Sequence, residues 1–259
     1  LRSYTVTLPE GDHYNVNYSG SNVVEYGQTF TFTVELAPGY SESDNFTVAA
    51  NGTPLTANAD GSYNVRVEGD TQITVEGVAD LTAPANLTVS YGTDSFKELV
   101  NTLTFGLIFK DTVTVTLSAT DEGTGVQSFT YRLGDGQLQT VTAENGQYTF
   151  TVSPEFKGNL SGVTARDGAG NTTTEIAYEY FAVEGQAPNT PQVNALGAGQ
   201  WTSGPVTFTL SGAQATSGIQ KYQYSTDGGK TWQEVPATVS EEATVQNPVN
   251  VLEARLTVT

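Results

Sequence analysis

The sequence predicts an all-β chain built of tandem β-sandwich modules. Three observations carry that prediction: runs in which apolar residues alternate with threonines, a composition heavy in turn-forming residues, and an internal repeat that holds its register without a gap.

The strand runs are plain to read. Phe30, Phe32, Val34 and Leu36 alternate with Thr29, Thr31, Thr33 and Glu35, the period of two that turns one side of a strand to a core and the other to water. Val113, Val115 and Leu117 do the same between threonines, as do Val206, Phe208 and Leu210. Tyr148, Phe150 and Val152 give another run, and Leu252, Ala254, Leu256 and Val258 a last one. Asn51-Gly52 and Asp60-Gly61 read as hairpin turns, because both pairs tolerate positive φ.

Composition agrees. Only 37% of the 259 residues are hydrophobic and 27 are glycine, which favours short strands joined by tight turns. The length suits two or three domains of about 75–110 residues.

The repeat sets the organisation. V-T-V-T-L-S from Val113 matches V-T-F-T-L-S from Val206, an offset of 93. That offset then places Gly125 on Gly218, Val126 on Ile219, Tyr131 on Tyr224 and Gly136 on Gly229. Upstream, Ala83-Pro84 and Ala187-Pro188 look like equivalent starts at an offset of 104, so the middle module carries 11 extra residues. Within them, Phe96, Leu99, Val100 and Leu103 follow helical spacing, with Asp94 or Ser95 as cap and Glu98 in the first turn. The expectation is a short helix over 95–105 inserted into a β-module. Modules are expected over 1–82, 83–185 and 186–259, the third truncated at its C-terminus. Leu1, in a chain with no Met, reads as a trimmed or internal boundary.

Charge narrows the partners. The net charge of −18 repels phosphate backbones and anionic lipid, so neither nucleic acid nor direct membrane binding is expected. No apolar run is long enough to span a bilayer, and no signal peptide or sorting motif is present. With no cysteine, disulfides and thiolate metal sites are excluded.

Two runs point to a family. Ser118–Val126 (S-A-T-D-E-G-T-G-V) and Ala165–Asn171 (A-R-D-G-A-G-N) resemble the bacterial immunoglobulin-like modules of large, repetitive Gram-positive surface proteins. The middle module fits throughout, including its F-K-x-L-x-N-x-L-T-F-G insertion. The first, with Y-G-Q-T-F-T-F-T-V and D-G-S-Y-N-V, resembles a small β repeat found beside such modules. The third departs at Gln214, which stands where Asp121 does. The resemblance implies three tandem immunoglobulin-like β-sandwiches in an extracellular protein, on a bacterial cell surface or secreted. It specifies no ligand, because this fold hosts many functions.

Candidate sites follow from that architecture. In an immunoglobulin-type sandwich the loop after the second strand and the final hairpin loop share one end, which also receives the incoming linker. Asp80, Asp121 and Asp167 then converge as hard oxygen ligands for calcium, the one cofactor expected. The alternative is that Asp121 and Asp167 brace their own turns through side-chain hydrogen bonds.

The inserted helix offers a second site. Its apolar stripe of Phe96, Leu99, Val100 and Leu103 plugs the open end of the sandwich or packs on the third module, or the helix docks on a host protein with Lys97 and Glu98 outermost. Ser225–Trp232 matches the Asp-box turn S-x-D-x-G-x-T-W, in which Asp227 would bond turn amides and Trp232 would pack on the sandwich.

Catalytic machinery is not expected. His13 is the only histidine, so no triad or Cys–His pair is possible with it, and the carboxylates form no aromatic-lined cluster. No spacing singles out Lys97, Lys110 or Lys157 for an intramolecular amide. The functional expectation is a non-catalytic adhesin or stalk segment that presents or contacts host ligands. One alternative is a superantigen-like immunoglobulin-binding protein acting through the middle module, with a mucin glycoprotein as another host partner. A second is an accessory module of a secreted glycan-degrading enzyme.

Overall fold

The computed structural model describes residues 2–92, 107–109, 111–176, 179–195, 203–215, 218–235, 237–241 and 250–258. The expected helix over 95–105 lies outside these residues. The fold is all-β, with strands and no helix among the described residues.

The first eight strands are β1 (Ser3–Thr7), β2 (Tyr14–Tyr18), β3 (Val23–Glu25), β4 (Thr29–Leu36), β5 (Ser41–Ala50), β6 (Thr53–Pro54), β7 (Ser62–Arg66) and β8 (Thr71–Ala79). They form two sheets, ordered β3-β1-β8-β5-β6 and β2-β4-β7. All pairings are antiparallel except β1 with β8. In β4 the threonines are exposed while Phe30 and Phe32 are buried, as alternation requires. Phe32, Val48, Tyr63 and Ile73, from four strands, share one buried cluster.

Asn51-Gly52 joins β5 to β6 with φ of 48° and 78°, the left-handed pair of a two-residue hairpin link. Asp60-Gly61 differs. Only Gly61 is left-handed, and the flanking strands β6 and β7 belong to different sheets. Asp60 instead accepts hydrogen bonds from the N–H and hydroxyl of Ser62, which makes this a side-chain-braced corner.

The next strands are β9 (Ala85–Gly92), β10 (Leu107–Phe109), β11 (Val113–Thr120), β12 (Val126–Leu133), β13 (Gln139–Thr142), β14 (Gln147–Val152), β15 (Phe156–Asp167) and β16 (Glu179–Val183). They make sheets ordered β10-β16-β15-β12-β13 and β14-β11-β9. One cluster unites Val115 and Leu117 of the smaller sheet with Phe129, Leu160 and Phe181 of the larger, an arrangement consistent with a β-sandwich. Each such fully buried side chain contributes about 1.5–3 kcal/mol.

The remaining strands are β17 (Gln192–Ala195), β18 (Val206–Ser211), β19 (Tyr222–Tyr224), β20 (Gln233–Val235), β21 (Ala237–Glu241) and β22 (Asn250–Val258). They form sheets β17-β18-β22-β21 and β19-β20 around a third cluster that includes Leu210, Tyr222 and Val235. The repeat is visible here. Gly125 and Gly218, matched by the offset of 93, have φ of 76° and 82°. Likewise β17 pairs with β18 as β9 does with β11.

One correspondence does not carry over. Ala254-Arg255 resembles Ala165-Arg166, yet β22 pairs with β18, the place that β14 rather than β15 takes beside β11.

Candidate metal centre at the first junction

Asp80 directly follows β8, Asp121 follows β11, and Asp167 ends β15. The three strand ends meet. One carboxylate oxygen from each lies within 4.8 Å of the others, with Asp80 and Asp167 5% and 0% exposed and Asp121 half-buried.

Each carboxylate is held by a short local network. Asp80 Oδ2 accepts the Thr124 N–H at 2.8 Å and the Thr124 hydroxyl at 2.7 Å, while Oδ1 accepts the Thr82 N–H at 3.1 Å. Asp121 Oδ2 accepts the Gly125 N–H at 2.7 Å, across a turn that needs left-handed Gly125. Asp167 Oδ1 accepts the N–H groups of Gly170 and Asn171 at 2.6 and 2.8 Å, and Oδ2 accepts the Asn171 side-chain N–H at 2.8 Å. The turn-bracing expected for Asp121 and Asp167 is therefore present together with their convergence.

Two further side chains stitch the loops. The Thr124 hydroxyl accepts from the Ala169 N–H at 3.0 Å, and Asn171 Nδ2 also donates to the Asp80 carbonyl at 3.2 Å. Glycines permit the approach. A Cβ on Gly39 would overlap the backbone of Glu122 and Gly123, and one on Gly123 would overlap the Asp80 carboxylate. The loop after Leu36 thus abuts the loop after β11 backbone to backbone.

The electrostatics are one-sided. Among the described residues the ion pairs are Arg66–Glu68, Lys221–Glu234 and Arg255–Glu253, none of them here. Burial raises the pKa of Asp121, and the carboxylates of Asp80 and Asp167 raise it further against the Gly125 hydrogen bond. For Asp80, burial pushes the pKa up, but the Thr124 and Thr82 donors outweigh it and the net shift is downward.

A carboxylate oxygen keeps a second lone pair after accepting one hydrogen bond, so these contacts and metal ligation are compatible. Calcium–oxygen bonds of about 2.3–2.6 Å put ligands on opposite sides of the ion roughly 5 Å apart. The observed spacing falls within that span.

The later junction is built with amides. Asn189 Oδ1 accepts the Gln214 N–H, its N–H donates to the Gln214 carbonyl at 3.2 Å, and its Nδ2 donates to the Gly212 carbonyl at 3.2 Å. No acidic trio is found there among the described residues.

Phe96, Lys97, Glu98, Leu99, Val100 and Leu103 all lie outside the described residues, so the helix site is not among the structural findings. His13 is exposed and stacks on Tyr40 with ring centroids 4.1 Å apart. The Asp-box forms as a turn. Asp227 Oδ1 accepts the N–H groups of Lys230 and Thr231, both at 2.9 Å, and Oδ2 accepts the Thr231 hydroxyl at 2.6 Å. Trp232 does not pack on the sandwich as expected. It is 60% exposed, because it falls just outside β20 while Val235, three residues on, takes the buried position.

Thr124, Gly39 and Gly123 were not legible as junction residues. Asn171 belongs to the A-R-D-G-A-G-N run, but its contact with the Asp80 carbonyl has no local signal in the sequence. No protein-family model matches the chain, and no curated protein matches its sequence.

Proposed function

We propose that this chain is a non-catalytic stalk segment of a bacterial surface protein, made of three tandem immunoglobulin-like modules whose first junction is clamped and completed by calcium. The observation that carries the reading is Asp80. It is the residue that leaves β8, yet it is 5% exposed and bonded to Thr124, 44 positions later. A free linker would leave that carboxylate in water.

A stalk benefits from such a junction, because small interfaces between modules otherwise permit relative motion. Three carboxylates within 4.8 Å, with no ion pair to them among the described residues, repel one another, and a divalent cation removes that cost. The acidic surface suits an extracellular setting, where calcium is plentiful, and keeps neighbouring copies apart. In this reading the segment holds distal domains outward so that they meet host ligands.

The test is the distance distribution between spin labels at Thr31 and Thr149, both exposed. A single narrow distribution in calcium, broadened in Asp80→Ala, supports the clamped stalk. An equally broad distribution in both proteins refutes it.

A further inference from the structure

A groove of about 650 Å³ runs along one open side of the second pair of sheets. It lies where β13, the edge of the five-stranded sheet, turns into β14, the edge of the three-stranded sheet. Thr142, Glu144, Asn145, Gln147, Tyr148 and Thr149 line it, with Val141 beside them. We propose that this groove binds a neutral oligosaccharide through the amides of Asn145 and Gln147 and the ring of Tyr148.

Backbone hydrogen bonds brace the turn at the head of the groove. Glu144 and Gln147 exchange backbone hydrogen bonds at 2.8 and 3.0 Å, and Asn145 and Gly146 between them have φ of 51° and 73°. The Gly146 carbonyl accepts the Ala119 N–H at 3.0 Å, which ties this turn to the end of β11. Tyr148 is half-buried in an aromatic group, its ring centroid 6.1 Å from those of both Tyr131 and Phe150. The turn backbone and the Tyr148 ring are therefore held in place, which limits the part of the ordering cost that falls on them.

The lining chemistry selects the ligand class. Two primary amides, one carboxylate and two threonine hydroxyls belong to its lining together with one tyrosine ring, offering both donors and acceptors. The side chains of Glu144, Asn145 and Gln147 are exposed and have no hydrogen-bond or ion-pair partner among the described residues. A pyranose matches this set, since its hydroxyls each donate and accept while its C–H face lies against an aromatic ring. The volume falls within the roughly 300–1,000 Å³ of small-ligand clefts. Glu144 and the net charge of −18 repel phosphate and acidic sugars, which leaves neutral glycans. A peptide laid along β14 would use backbone bonds and alternating apolar pockets. Apart from Val141 and the tyrosine ring the lining is polar, so this occupant is disfavoured.

The full chain is titrated by NMR with cellotetraose, mannotetraose and N-acetylchitotetraose, and with tetragalacturonic acid and an alternating threonine–valine hexapeptide as contrasts. At least one neutral tetrasaccharide is expected to shift the amide resonances of 141–149 saturably, while the acid and the peptide do not. Gln147→Ala and Asn145→Gly, the latter keeping the left-handed turn, should each weaken binding about tenfold with the melting temperature unchanged. The proposal is overturned if no neutral tetrasaccharide binds, if both variants bind as the parent does, or if the hexapeptide occupies the groove instead.

Discussion

Asp80 Oδ2 accepts both the backbone N–H and the hydroxyl of Thr124, at 2.8 and 2.7 Å. One oxygen at the end of the first eight strands thereby fixes a loop of the next two sheets. Asp80→Ala leaves both Thr124 donors and the Thr82 N–H without this acceptor. Hydrogen bonds to charged groups are worth about 1.5–3 kcal/mol, so denaturant unfolding of the variant should fall by roughly that amount. Proteolysis between Leu81 and Pro84 should accelerate in parallel, since Leu81 is already half exposed. Unchanged unfolding and proteolysis would mean that the contact contributes nothing.

Gly39 and Gly123 make the same junction depend on missing side chains. Gly39 has φ of 81°, so Gly39→Ala incurs about 1–2 kcal/mol of left-handed strain before its overlap with Glu122 and Gly123 is counted. Gly123→Ala places a methyl group against the Asp80 carboxylate. Both variants should lower stability. Gly52→Ala, equally left-handed with nothing near its Cβ, should lower it only by the strain. Equal losses at all three positions would remove the close approach from the account.

Asp121 supplies a pH signature in calcium-free buffer. Burial and the two neighbouring carboxylates raise its folded pKa above the unfolded value. Its contribution to stability is then present below the unfolded pKa and lost as pH rises through the folded one. Asp121→Asn, still able to accept from Gly125, should therefore be more stable than the parent at neutral pH with chelator present. The advantage should disappear in acid, below the ordinary carboxylate range. Melting curves of both proteins across pH decide this, and a variant less stable at neutral pH would reverse the sign.

Asp227 titrates the opposite way. Hydrogen bonds from the Thr231 hydroxyl and N–H, the Ser225 hydroxyl and the Lys230 N–H hold its pKa far below the usual carboxylate value. Its contribution is present above the unfolded pKa and is lost only as pH falls through the much lower folded pKa. The amide protons of Lys230 and Thr231 should stay protected from exchange through mildly acidic pH in the parent. In Asp227→Ala they should be unprotected throughout.

The all-β class was legible because threonine–apolar alternation reports directly which face of a strand is buried, as β4 and β11 bear out. The convergence of Asp80, Asp121 and Asp167 was legible because all three lie at strand ends that the expected topology gathers. Thr124, Gly39 and Gly123 were not, because their roles come from contacts far apart in the sequence, as between Thr124 and Asp80, that no local pattern encodes. Trp232 departs from the expected burial for a related reason. The Asp-box fixes its turn, but whether the following tryptophan is buried depends on where pairing resumes, and here that is at Gln233.

The most direct test of the clamped, calcium-completed junction is the melting of the whole chain in calcium and in chelator, beside Asp121→Asn. The account predicts one calcium bound per chain, at the first junction, and a transition that rises with calcium. At a free concentration a hundredfold above Kd the gain should be about 2.7 kcal/mol, and Asp121→Asn should abolish it. A transition that is the same in calcium and in chelator, with no heat of binding on titration, would contradict it.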